Sequence, residues 1–118
     1  MSNIKDGNAF EREFAKHLFN KGYWVHIVTP SRTGVQPADI IALKDGKAYL
    51  IDCKVCDKPY FLLSRIEENQ KNAMKIFREK GGKTYFVCKY KDKFYTINNS
   101  DILKAESKNL KRIDFNML

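Results

Sequence analysis

An Asp-Gly pair, Asp45-Gly46, separates two apolar runs, Asp39-Ile40-Ile41-Ala42-Leu43 and Ala48-Tyr49-Leu50-Ile51-Asp52. Asp-Gly in this setting is a strong signal for a two-residue hairpin turn, because both central residues must adopt positive φ. A two-residue turn fixes the register: Lys44 faces Lys47, and counting outward, Asp39 faces Asp52. Facing side chains have Cβ atoms about 5 Å apart on one side of the sheet. Like charges placed opposite each other destabilise a hairpin. Converging carboxylates have one common use that offsets this, which is to hold a hard cation.

The rest of the chain predicts a mixed α/β layout around that hairpin. Residues 7–21 have helical apolar spacing and stop at Gly22, the residue type that most often closes a helix. Residues 23–28 are aromatic and β-branched and read as a strand. Residues 29–34 form a loop, and Pro37 closes it before the hairpin. Asp57-Lys58-Pro59 breaks the second hairpin strand, and Ser64-Arg65-Ile66-Glu67 has the letters of a capping box. A second helix is therefore predicted from residue 64 to about residue 80, ended by Gly81-Gly82. Residues 84–89 and 94–97 read as strands about a Lys91-Asp92-Lys93 turn, Ser100 as the cap of a short helix, and 110–115 as a final edge strand. With 118 residues and neither repeat nor linker, residues 1–118 read as one domain.

Composition narrows the class. Hydrophobic residues at 43% and aromatics at 13% suffice for a core and exclude a disordered chain. No apolar run approaches the ~20 residues that a membrane span needs. Met1-Ser2-Asn3-Ile4-Lys5-Asp6 has no apolar signal-peptide core. The expectation is a cytoplasmic protein, or one of the host cytoplasm if a phage encodes it, with no membrane partner. Lys and Arg number 22 against 14 Asp and Glu, a formal charge of +8. That excess favours a polyanionic partner, nucleic acid first. Cys53 and Cys56 have Cys-x-x-Cys spacing, but on a strand residues three apart point to opposite faces. With Cys88 the count is odd, so small core residues fit better than disulfides, zinc or redox chemistry.

Polar side chains stand at three places where apolar ones are expected. On a wheel of about 100° per residue, Phe10, Phe14, Ala15, Leu18 and Phe19 form the stripe of the first helix, and Glu11 falls near its centre. A carboxylate there is costly unless it is paired or ligates a metal; Glu13, on the opposite side, is an ordinary solvated charge. In the second hairpin strand, Asp52 and Lys54 follow the apolar Tyr49-Leu50-Ile51 and share one face. In the second helix Gln70 lies among Ile66, Ala73 and Phe77, either pointing into a site or hydrogen-bonding the core. Lys71, Lys75 and Arg78 share another face, positioned to lie along a phosphate backbone if DNA is the partner.

Asp39 followed by Asp52-x-Lys54 across a hairpin resembles the PD-(D/E)xK nuclease superfamily, with Pro37-Ala38-Asp39 a loose form of its first element. The surroundings sharpen this. Phe10-Glu11-Arg12-Glu13-Phe14, Ala38-Asp39-Ile40-Ile41-Ala42 and Leu50-Ile51-Asp52-Cys53-Lys54-Val55 look like the archaeal-type Holliday junction resolvases, with RecU-type and phage resolvases as near relatives. The similarity covers roughly residues 7–89. It implies a restriction-endonuclease-like α/β fold, a central mixed β-sheet flanked by helices. It implies a metal-dependent endonuclease making paired nicks in four-way DNA junctions, acting as a homodimer. It further implies that Glu11, Asp39 and Asp52, with the carbonyl of Cys53, ligate Mg²⁺ (or Mn²⁺), and that Lys54 orients or activates the attacking water. Ser31 or Thr33 matches the loop position from which a hydroxyl assists. This chain departs from those resolvases in a longer loop and in Asp52, where they usually carry Glu.

The residue types suit that chemistry: carboxylates hold the ion, and an ammonium stands beside the scissile phosphate. Arg12, Lys16, Arg32, Thr33, Lys58, Arg65, Lys71 and Lys75 are the candidate DNA contacts. Tyr60-Phe61-Leu62-Leu63 is either a dimer face or core. The competing readings are a nuclease of the same superfamily acting on other branched, nicked or linear DNA, and a non-catalytic nucleic-acid-binding module on this fold. The second gives no reason to keep opposed acids.

Overall fold

The computed structural model describes residues 3–29 and 36–118, the side chains of residues 3–8 excepted. Helix α1 (Asn3–Asn20) begins four residues before the predicted start. Its end follows from glycine: Gly22 takes φ of +91°, which lets Tyr23 N donate to Leu18 O and Gly22 N to Phe19 O. Strand β1 (Trp24–Ile27) follows. Strands β2 (Ile40–Lys44) and β3 (Lys47–Cys56) form the expected hairpin, with Asp45 at φ 52° and Gly46 at φ 77°. Its register runs from Lys44↔Lys47 to Ile40↔Ile51, as the turn requires.

Helix α2 (Glu68–Glu79) crosses over to β5 (Lys83–Tyr90), which lies parallel to β3, and β6 (Lys93–Asn98) returns antiparallel beside β5. The sheet order is β1-β2-β3-β5-β6, with β3 at its centre. Helix α3 (Asn99–Ser107) follows β6 directly, and its cap is Asn98 rather than Ser100. Asn98 Oδ1 accepts from Asp101 N at 2.9 Å, while Asp101 Oδ2 accepts from Asn98 N at 3.0 Å.

Alternation along the strands divides the core between the two faces of the sheet. Ile40, Ala42, Ile51 and Val87 meet Phe10, Phe14 and Leu18 of α1. Leu50, Phe86, Cys88 and Ile97 face the other way, toward Met74 of α2 and Ile102 and Ala105 of α3. Full burial of each large apolar side chain contributes about 1.5–3 kcal/mol. The three cysteines are free, and Cys56 and Cys88 are core residues as expected.

Three further sequence expectations are corrected. Phe19 is 70% exposed: it lies about 100° round the helix from Leu18, at the margin of the stripe. The second helix does not start at Ser64. Leu63–Arg65 form a 3₁₀ turn, Ile66 is extended (φ −82°, ψ 113°), and Glu67 is the cap of α2. The final strand β7 (Arg112–Asp114) does not join the main sheet but pairs with a short strand β4 (Tyr60–Leu62) in a separate two-stranded sheet. That pairing buries Phe61 completely, so this segment is mainly core, with Leu62 41% exposed.

Candidate active site

The site forms where β2 parts from β3. After Ile40↔Ile51 the ladder changes: Asp39 N donates to Ile51 O at 3.0 Å, one residue beyond the end of the strand. Cys53 N, next on the β2 side of β3, has thereby lost its backbone partner, and a buried amide must find another. Asp39 Oδ2 accepts it at 2.7 Å. The carboxylate thus completes the ladder that its own backbone leaves. Val28 N, from the segment after β1, donates to Asp39 O at 2.8 Å and fixes this residue from the other side. The simple opposition of Asp39 and Asp52 expected from the turn is therefore modified by one local departure, and both carboxylates are buried, at 7% and 1% exposure.

Asp52 is held on both oxygens. Oδ1 accepts from Gln70 Nε2 at 2.8 Å, so the Gln70 side chain reaches from α2 to the acidic cluster. Lys54 Nζ stands 2.9 Å from Oδ2 as an ion pair, but no directed hydrogen bond reaches that buried oxygen. Burial, and then the neighbouring charge of Asp39, push the Asp52 carboxyl up to about 7, with Lys54 opposing. Glu11 on α1 is half-buried and likewise raised to about 7, by burial first and the charge of Asp39 second, against Arg12. Burial beside these acids also pushes the Cys53 thiol up, so it remains protonated.

Glu11, Asp39, Asp52 and Lys54 thus share one electrostatic neighbourhood, although among the described residues no three acidic, His or Cys side chains close tightly enough to form a ready-made metal cage. The donor set still fits a hard divalent cation. Two carboxyls are destabilised as anions by burial and by a neighbouring acid, and one buried carboxylate oxygen lacks a directed donor. A cation relieves all three, and Mg²⁺ needs only one or two carboxylates because it keeps several waters.

The candidate basic contacts divide by what they already hold. Arg12, Lys16, Lys58 and Lys75 are exposed. Arg65 donates from Nη1 to Val55 O at 3.1 Å and to Cys56 Sγ at 3.4 Å, and Lys71 pairs with Glu106 at 3.5 Å. Arg78, grouped with them on the helix wheel, donates to Thr84 Oγ1 at 2.6 Å. Ser31, Arg32 and Thr33 lie outside the described residues. Sequence reasoning missed Gln36, whose Nε2 donates to Asp39 Oδ1 at 2.8 Å, and Asn69, whose Nδ2 donates to Gln36 O at 3.4 Å. The available signal was slight: one amide three residues before Asp39 and another beside Gln70.

Comparison with known proteins shows the family and the fold. The family model described as archaeal Holliday junction resolvase (Hjc) matches residues 2–117. No curated protein matches the chain. Among solved structures the fold is similar to that of Hjc from Archaeoglobus fulgidus, a Holliday junction resolvase of an archaeal hyperthermophile. The TM-score is 0.69 at 18% identity, over 92% of this chain and 89% of that one.

Proposed function

The chain belongs to the archaeal Holliday junction resolvase family, and from that premise we propose a Mg²⁺-dependent endonuclease that makes paired nicks in four-way DNA junctions as a homodimer. One observation carries the catalytic part of this reading: a fully buried carboxylate, Asp52, beside a second buried carboxylate, Asp39, with the Lys54 ammonium 2.9 Å away. Glu11, Asp39 and Asp52 would hold the ion, with Mn²⁺ able to substitute. The carbonyl of Cys53 joins them: in a strand the N–H and C=O of one residue point the same way, and its N–H is directed at Asp39. The bound ion supplies a Lewis acid for the phosphoryl oxygens and makes water a competent nucleophile near neutral pH.

The protein's own residues do the rest. Lys54, anchored by Asp52, presents positive charge to the phosphate as negative charge develops on it. Gln70 fixes the rotamer of Asp52 from α2, which keeps the carboxylate and ammonium in register. Water oxygen bonds to phosphorus and gives up a proton to solvent, the bond to the leaving deoxyribose oxygen breaks, and that oxygen takes a proton from solvent. The net charge of +8 offsets the local acidity for a polyanionic substrate, and the exposed Arg12, Lys16, Lys58 and Lys75 are placed to meet phosphates.

Two symmetric cuts need two sites, which a two-fold dimer provides. The uncovered neighbours Trp24 and Leu43, paired across β1 and β2 and 57% and 43% exposed, support an apolar contact between copies. The test is cleavage of a synthetic four-way junction beside a matched linear duplex, with Mg²⁺ and with EDTA. Paired nicks in the junction alone support the proposal; equal cutting of the duplex supports a nuclease of broader target, and no cutting of either refutes it.

A further inference from the structure

Each buried aspartate of the site has one carboxylate oxygen taken by a carboxamide. Gln70 Nε2 donates to Asp52 Oδ1, and Gln36 Nε2 donates to Asp39 Oδ1, both at 2.8 Å. The two amides are linked through the first turn of α2. Asn69, next to Gln70, donates from Nδ2 to the backbone carbonyl of Gln36 at 3.4 Å. The far ends of the two amides differ. Gln70 Oε1 accepts from Glu67 N at 3.4 Å, as part of the helix cap. Gln36 Oε1 is buried and accepts no hydrogen bond among the described residues.

A buried amide oxygen without a donor is unfavourable, and such groups in folded proteins have a partner in water, ion or ligand. This one belongs to a side chain whose nitrogen is already fixed on a site carboxylate. Donation by Gln36 fixes the carboxylate plane of Asp39, and each oxygen of a carboxylate keeps a second lone-pair direction after accepting one bond. Nothing about the loop alone requires an amide here, since a purely packing role would be served by an apolar side chain with no orphan oxygen.

We propose that Gln36 is a positioning residue of the acidic site: its Nε2 sets the orientation in which Asp39 meets a divalent cation, and its Oε1 accepts a hydrogen bond from a water at that site. The proposal rests on the reading of Asp39 as a metal ligand. Partners that orient a ligand in this way influence metal affinity directly.

The test uses Mn²⁺ alone, titrated calorimetrically into the DNA-free protein. Gln36→Met, close in size but without either polar atom, should bind Mn²⁺ about 10–100-fold more weakly than wild type. Its circular dichroism and its metal-free affinity for a four-way junction should not change. Gln36→Asn keeps both polar atoms one methylene out of reach and should weaken Mn²⁺ in the same direction, which guards against a folding defect in the first variant. At saturating Mn²⁺ the cleavage rate of both variants should recover toward wild type. Wild-type Mn²⁺ affinity in a folded variant, with only its melting temperature lowered, overturns the proposal and leaves Gln36 a loop-packing residue. Absence of Mn²⁺ binding by the wild-type protein instead overturns the metal reading itself.

Discussion

One row across the sheet holds two opposite solutions to burial. Asp52 on β3 pairs in register with Phe86 on β5, which pairs with Ile97 on β6, and Asp39, one residue before β2, adds its charge from the other side of β3. Asp52, Phe86 and Ile97 are equally buried, at 1%, 1% and 0% exposure. The β5–β6 half fills its positions with side chains that gain by leaving water. The β2–β3 half fills them with carboxylates that lose by it and that repel one another. Both halves are hairpins with two-residue turns, Asp45-Gly46 and Lys91-Asp92, so the backbone does not force the difference. Local rules broken at one end of an otherwise consistent sheet mark a functional site.

If that contrast is right, the two halves respond oppositely to substitution. The largest effect is expected at the acidic end. Asp52→Asn removes one charge and little volume, and should lower the cleavage rate by at least about 10²–10³-fold, with junction binding retained in a gel-shift assay. Cutting at the wild-type rate would remove Asp52 from the proposed machinery. Above pH 7 and without metal the same variant should melt higher than wild type, because it no longer buries an unstable anion. At the apolar end, Ile97→Ala should cost about 2–5 kcal/mol of stability in urea unfolding, while each folded molecule still cuts at the normal rate. A variant that was stable but inactive there would erase the distinction between the halves.

A pH series sharpens the comparison further. In the metal-free fold Glu11 and Asp52 keep their protons up to about 7, whereas in an unfolded chain they ionise in the ordinary carboxylate range. Between those limits the folded state binds more protons, so these groups stabilise fully at low pH and their contribution is lost as pH rises through about 7. With EDTA present, the melting temperature of wild type relative to Asp52→Asn should therefore fall from pH 5 to pH 8. Mg²⁺ should raise the wild-type melting temperature most at pH 8, where protons no longer compete for the carboxylates. A difference independent of pH would mean that Asp52 is ionised throughout.

The acidic half was legible in the sequence because its signals are local. Asp45-Gly46 fixed the register, and the counting led to Asp39 and Asp52. Glu11 stood out because the wheel put it among Phe14, Ala15 and Leu18. What the sequence hid depends on contacts distant along the chain or on competition between local patterns. The pairing of Tyr60–Leu62 with Arg112–Asp114 joins segments about 50 residues apart with no shared local cue. Ser64-x-x-Glu67 matched a capping box in letters, but Ile66 packs against the core in an extended conformation and moves the helix start to Glu67. Gln36 was missed because an amide in a polar stretch is unremarkable until its Nε2 is found on Asp39 Oδ1.

The smallest expected effect tests the contrast within two residues of one helix. Glu11 and Glu13 lie in the same turn region of α1, yet only Glu11 is turned toward Asp39. Glu13 faces solvent and meets Lys89 Nζ at 2.7 Å, with side-chain exposures of 47% and 29%. An exposed pair of this kind contributes at most about 1 kcal/mol and is screened by salt. Glu13→Gln should therefore shift the melting temperature by no more than a few degrees, the shift should vanish in high salt, and junction cleavage should be unchanged. Glu11→Gln should do the reverse, reducing cleavage and Mn²⁺ binding while leaving metal-free stability equal or higher. Matching losses of activity in the two variants would mean that α1 serves the site through its helix as a whole, and that the buried position of Glu11 carries no special role.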